Sequence, residues 1–143
     1  MRTDRASFEE FYKSIGKTYS PYFKDYIYFT DVGFKHIRFK NEQLMRPSKD
    51  IEMRIRLLPI AIKSIGASHT VQNKTIRKRL EHRYVNSRKE LAMIDVTYYE
   101  FIAIIDDWRV RVVIKQVNNA EMIFLSVIPA FKQKMPLEES DIL

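Results

Sequence analysis

The sequence predicts an α+β fold in which amino-terminal helices pack on a small antiparallel meander sheet of about four strands. Three observations carry this reading. The last third of the chain holds three strand-like stretches in succession, residues 98–105, 109–117 and 122–128. The first half holds apolar residues that recur at intervals of three and four. No linker, internal repeat or low-complexity tract interrupts the 143 residues, so they read as one domain over 1–143, large enough to bury a core without staples.

Each element has its own signal. Ser7 with Glu10 three residues later has capping-box spacing, Phe8, Phe11, Tyr12 and Ile15 supply a helical apolar stripe, and Gly16 supplies a stop. Residues 25–30, DYIYFT, are aromatic and suit a first strand. With Asp31 as cap, the following DVGFKHIRFKN puts Phe34 and Ile37 on a short helix whose polar side displays Lys35, His36 and Lys40. A longer helix begins near Ser48, after Pro47, with Ile51, Ile55, Leu58, Ile62 and Ile65 in its stripe and Gly66 at its end. Pro59 should kink or divide it. Residues 67–90 are polar and basic, with Leu80, Tyr84 and Val85 as large apolar anchors, and read as a loop holding a helical or strand segment of uncertain register.

The last third is the most informative. Val110, Val112 and Ile114 alternate with Arg109, Arg111, Val113 and Lys115, the period of a strand with one apolar and one wet face. Asp106–Asp107 and Asn118–Asn119 mark turns. Pairing Ile105 with Val110 sets Ile104 opposite Arg111 and Glu100 opposite Lys115; pairing Val117 with Met122 sets Lys115 opposite Phe124 and Val113 opposite Ser126. One surface then gathers Tyr98, Glu100, Arg111, Lys115, Phe124 and Ser126, and the other Phe101, Ala103, Val112, Ile114, Leu125 and Val127. A one-residue slip would scramble both.

Composition narrows the function. A net charge of +7 and a pI near 9.6 favour polyanionic partners: RNA, DNA or an acidic protein. The cationic residues cluster in KTIRKRLEHR (residues 74–83), around Lys35, Arg38 and Lys40, and in the last sheet. There is no cysteine and there are three histidines, at positions 36, 69 and 82, which argues against disulfides, thiolate sites and a protein zinc site. No apolar run approaches the roughly 20 residues that span a bilayer, and residues 1–10 are too polar for a signal peptide, so a cytoplasmic protein without membrane contact is expected.

Two segments, YFTDVGFKHI (residues 28–37) and RVRVVIKQVNNAEMIFLSVIPAF (residues 109–131), resemble the phage-associated branch of the superfamily that unites barnase, EndoU, colicin nucleases and RelE toxins. The matching features are a Gly-aromatic-Lys-His-Ile segment after a strand, a basic strand of the RVVIK type and an FLSVIP strand ending in proline, together about a third of the chain. Residues 67–97 match no part of the pattern. The resemblance implies helices on a meandering antiparallel sheet and metal-independent RNA cleavage with no cofactor, in a phage or mobile-element toxin or effector. It carries over His36, Arg111, Lys115 and Ser126. Glu100 joins them by strand pairing alone.

RNA cleavage through the 2′-hydroxyl needs a base, an acid and fixed positive charge for the phosphorane. His36 suits acid or base work by its near-neutral affinity for protons, or is a packing histidine. Arg111 and Lys115 suit the phosphate, or are solvated strand residues. Glu100 is a general base or a cross-strand partner of Lys115, and Ser126 donates to a phosphate oxygen or fills a small position. Arg77, Arg79 and Arg83 of the basic cluster, with Lys35, Arg38 and Lys40, would hold the RNA backbone, free or on the ribosome, by counterion release; a basic surface helix is the bland alternative. Tyr98, Tyr99 and Phe124 stack on bases or pack in the sheet. The expected function is therefore a metal-independent endoribonuclease, balanced by an acidic antitoxin or immunity protein. The rival is a non-catalytic RNA-binding module of the same fold.

Overall fold

The structure, a computed structural model, describes residues 5–130. Phe131, the last residue of the second resembling segment, lies outside the described residues. Along the chain run α1 (Arg5–Ile15), β1 (Lys17–Ser20), β2 (Asp25–Tyr28), α2 (Asp31–Arg38), α3 (Ser48–Ala67), β3 (Asn73–Val85), β4 (Arg88–Ile105), β5 (Trp108–Val117) and β6 (Met122–Pro129). The strands of the described residues form one six-stranded sheet in the order β1-β2-β6-β5-β4-β3. The α+β class holds, but the sheet is larger than expected and mixed, because β2 pairs parallel to β6 at Ile27–Met122 and Tyr28–Ile123.

The helices start and stop for local reasons. Ser7 lies inside α1 rather than ahead of it, and Gly16, at φ 66°, ends the helix. Thr30, not Asp31, caps α2: its Oγ1 accepts from the Val32 amide at 3.3 Å. The inward side of α2 is Gly33, His36 and Ile37, so His36 is buried and not displayed with Lys35. Gly33 is required by closeness, since a Cβ there would stand 2.5 Å from the Phe124 carbonyl oxygen and 2.5 Å from the Tyr12 hydroxyl. Pro59 does not divide α3, where burial of Ile55, Leu58, Ala61 and Ile65 outweighs the hydrogen bond that proline cannot donate.

Sheet register follows the turns. Asp106 and Asp107 both take positive φ, 49° and 66°, the geometry of a two-residue hairpin turn, so Ile105 pairs with Trp108. Relative to the expected pairing the strands are offset by two residues. Faces survive an even offset, but partners change: Ile104 opposes Arg109, Ile102 opposes Arg111, Glu100 opposes Val113, and Lys115 opposes Tyr98. Val113 does face Ser126, but then the β5–β6 register shifts, with Ile114 opposite Phe124 and Leu125 bulged. The bulge reverses the expectations for Phe124 and Leu125, while Val127 keeps its place in the main core. Phe124 joins the main core with Phe101, Val112 and Ile114, stacked on Phe29 at 4.7 Å, whereas Leu125 joins Ile94, Val96, Tyr98 and Val113 in a second cluster.

That main core unites β5 and β6 with Phe8 and Tyr12 of α1, Ile37 of α2 and the α3 stripe. The other sheet face carries the second cluster, so Arg111 and Val113 are buried too, and β5 has no wet face along its centre. Beyond this body β3 and the first part of β4 continue as a two-stranded arm, turning at Asn86–Ser87 (φ 52° and 65°). Leu80, Tyr84, Leu91 and Met93 of the arm are all exposed.

Candidate nucleic-acid interface

An open cleft of about 1350 Å³ lies between α1, α2 and the sheet. Lys35, His36 and Arg38 reach it from α2, Lys13 from α1, Arg79 from β3, Tyr98 from β4 and Lys115 from β5. Its five Lys and Arg side chains outnumber the carboxylates of Glu9, Asp31 and Glu42. Lys13 is already paired to Glu9 at 3.1 Å. Arg38 is steadied over the rings of Phe34 and Phe39, at 5.7 and 5.2 Å. Lys115 stands beside Tyr98. Burial, then the nearby Arg79, pulls its ammonium below the usual lysine range, and Glu81 opposes that.

His36 and Lys115 thus meet at one cleft, but the histidine is not poised for acid catalysis. Burial first, and then Arg46, Arg54 and Lys115, lower its pKa to about 3. Arg46 donates from Nε to the His36 carbonyl at 2.9 Å and sets Nη2 3.5 Å from Nδ1. A guanidinium has only donors, so Nδ1 accepts and the proton of the neutral ring sits on Nε2.

The remaining expected site residues are committed elsewhere. Arg111 Nε stands 2.6 Å from Glu100 Oε1, with both side chains almost wholly buried, and Asn73 Nδ2 approaches the other carboxylate oxygen at 3.4 Å. Arg111 lines no part of the cleft, and Glu100 is partnered by Arg111 rather than by Lys115. Ser126 is fully buried and accepts from Arg54 Nη1. Arg54 in turn donates to Asp50 Oδ1 at 2.8 Å, and Arg46 stands 3.7 Å from the same carboxylate. Sequence reasoning passed over Arg46 and Arg54, although Arg46, Asp50 and Arg54 at successive intervals of four are a readable signal. Among the described residues no group of three or more His, Asp or Glu could hold a metal ion, and no helix is long and apolar enough to cross a membrane.

The basic cluster is a strand and not a helix. Thr75 opposes Tyr98, so alternation turns Arg77, Arg79 and Arg83 to the face that carries Tyr98 and Lys115, while Lys74 and Lys78 take the other. Glu81 sits between Arg79 and Arg83, at 3.9 and 4.0 Å. The arm and its root, residues 73–95, hold seven Lys or Arg against three carboxylates. Lys40 lies just past α2 and outside the cleft wall. Tyr98 is buried and Phe124 lies in the main core, so neither ring offers a base an open face.

No protein-family model, no curated protein and no solved structure matches this chain.

Proposed function

We propose that this protein binds RNA along a cationic track formed by the arm and the cleft, as a backbone-reading module. One observation carries the reading: Arg77, Arg79 and Arg83 share a sheet face with Lys115, and Arg79 and Lys115 line the same cleft as Lys35 and Arg38. Alternate strand residues stand about 6–7 Å apart, a spacing suited to successive phosphates of an extended strand. With Tyr98 buried, recognition runs through phosphate and is indifferent to sequence. The preference for RNA over DNA comes from the family resemblance.

The test is fluorescence anisotropy with single-stranded RNA, single-stranded DNA and duplex RNA across a salt series. Binding should weaken linearly with log salt, with a slope of about 0.7 per phosphate neutralised on a single strand. Replacing Arg77, Arg79 and Arg83 together by alanine should lower that slope by about 2. No binding to any of the three at about 50 mM salt rejects the reading.

A second reading, metal-independent cleavage, is favoured by the approach of His36 and Lys115 to one cleft. There the neutral imidazole could take the 2′-hydroxyl proton only at Nδ1, the nitrogen that Arg46 faces, while Lys115 would protonate the departing oxygen. A base with a pKa of about 3 is weak at neutral pH, so binding is the better supported activity. Total RNA incubated with the protein in EDTA separates the two. New 2′,3′-cyclic phosphate ends that disappear in both His36→Ala and Lys115→Ala favour cleavage.

A further inference from the structure

We infer that the arm is also a self-association element, in which the free edges of two β3 strands pair antiparallel about a two-fold axis at Leu80. Among the described residues β3 is an outermost strand of the sheet, and one side of its backbone has no strand neighbour there. Its face opposite the arginines interleaves Lys74, Lys78 and His82 with exposed apolar side chains: Ile76, Leu80 and Tyr84 are 55%, 60% and 77% exposed, joined by Leu91 and Met93 of β4 at 58% and 59%. Leu80 and Met93 are direct cross-strand neighbours, with Leu91 two residues before Met93 on the same face, an exposed apolar group at the middle of the arm.

Self-complementarity selects the register. A two-fold axis normal to the sheet brings residues of the same face opposite one another, so the axis must pass through a residue. At Leu80 the pairs are Leu80 with its own copy, Ile76 with Tyr84, and Arg79 with Glu81. Because Met93 already opposes Leu80 within each chain, an apolar ladder Met93–Leu80–Leu80–Met93 crosses the axis. Moving the axis to Arg79 or Glu81 sets like charges on it and faces Leu80 with Lys78 or His82; an axis at His82 also pairs Leu80 with Tyr84 and Glu81 with Arg83, but β3 ends at Val85, so it joins only residues 79–85 against 75–85 at Leu80. One mismatch remains at Leu80, Arg77 opposite Arg83. With the net charge of +7 on each copy, this repulsion outweighs the attraction of Arg79 for Glu81, so association strengthens as salt screens it, whereas nucleic-acid binding weakens. The inference rests on the arm alone and stands apart from the RNA reading.

The experiment uses the full chain, freed of nucleic acid, in sedimentation equilibrium at low and high salt, with cysteine probes in a protein that has none of its own. Opposed residues on paired strands have Cα atoms about 5 Å apart, within disulfide reach. Leu80→Cys should therefore oxidise to a covalent dimer, while two Ile76→Cys sites, about 26 Å apart at ~3.3 Å per residue, should not. Arg79→Glu should weaken association about tenfold, and adding Glu81→Arg should restore it. All of these positions are exposed or lie outside both core clusters, so the body should fold in every variant. A monomer under all conditions, equal cross-linking at positions 76 and 80, or a dimer indifferent to the charge exchange overturns the inference.

Discussion

Arg111 and Glu100 form a buried ion pair, diagonal across β5 and β4, in which Nε and Oε1 approach to 2.6 Å. Strand alternation does set them on one face with Lys115, but that face is covered at its centre, so the guanidinium serves the sheet and lies outside the cleft. Removing one partner leaves a charge buried without its counterion. Arg111→Ala is therefore expected to destabilise the fold by about 3–5 kcal/mol, whereas Arg111→Met combined with Glu100→Leu should cost far less. Urea denaturation of the three proteins checks this.

Lys115 should behave in the opposite way. It is only partly buried and lines the cleft, so Lys115→Met should leave the unfolding midpoint nearly unchanged and lower the salt slope for single-stranded RNA by about 0.7. A slope equal to that of the parent protein would remove Lys115 from the track.

The stability of the protein should report on His36. As pH falls below about 6.5 the unfolded chain takes up a proton on this imidazole, while the folded chain resists until about pH 3. This contribution is fully present above about pH 6.5 and is lost as pH falls toward 3, at up to about 1.4 kcal/mol per unit. His36→Asn, whose amide oxygen can still accept from Arg46, should be less steep over that window by the same amount. Unfolding free energies at a series of pH values give the comparison.

Gly33→Ala tests the seating of α2. A methyl group 2.5 Å from the Phe124 carbonyl forces helix and strand apart, and overpacking of this kind costs about 1–3 kcal/mol. Because α2 carries Lys35 and Arg38, RNA affinity should fall with stability. Thermal unfolding and anisotropy on one preparation measure both.

Much of this was legible in the sequence, and the misreadings have physical causes. Alternation identified Val110, Val112 and Ile114 as core, and Tyr98, Glu100, Arg111, Lys115 and Ser126 as one face. Charged residues between apolar ones read as solvated, yet an ion pair such as Arg111–Glu100 satisfies them under cover. The Asp106–Asp107 turn was visible, but its two-residue geometry was not, and the Leu125 bulge leaves no compositional mark. β3 escaped detection because along the arm neither face is buried, which removes the alternation by which strands are recognised. β1, at four residues, is too short to show a period.

The parallel pairing of β2 with β6 bears on how the chain reaches this state. Ile27 and Tyr28 pair locally with Thr18 and Lys17 of β1 but meet their second strand neighbours at Met122 and Ile123, so this junction closes a loop containing most of the described residues. During synthesis the early strands must wait beside the ribosome for β6 to emerge, and the later hairpins can zip up first. The docking of the amino-terminal third is thereby marked as the slow step of folding, the one most exposed to capture by chaperones.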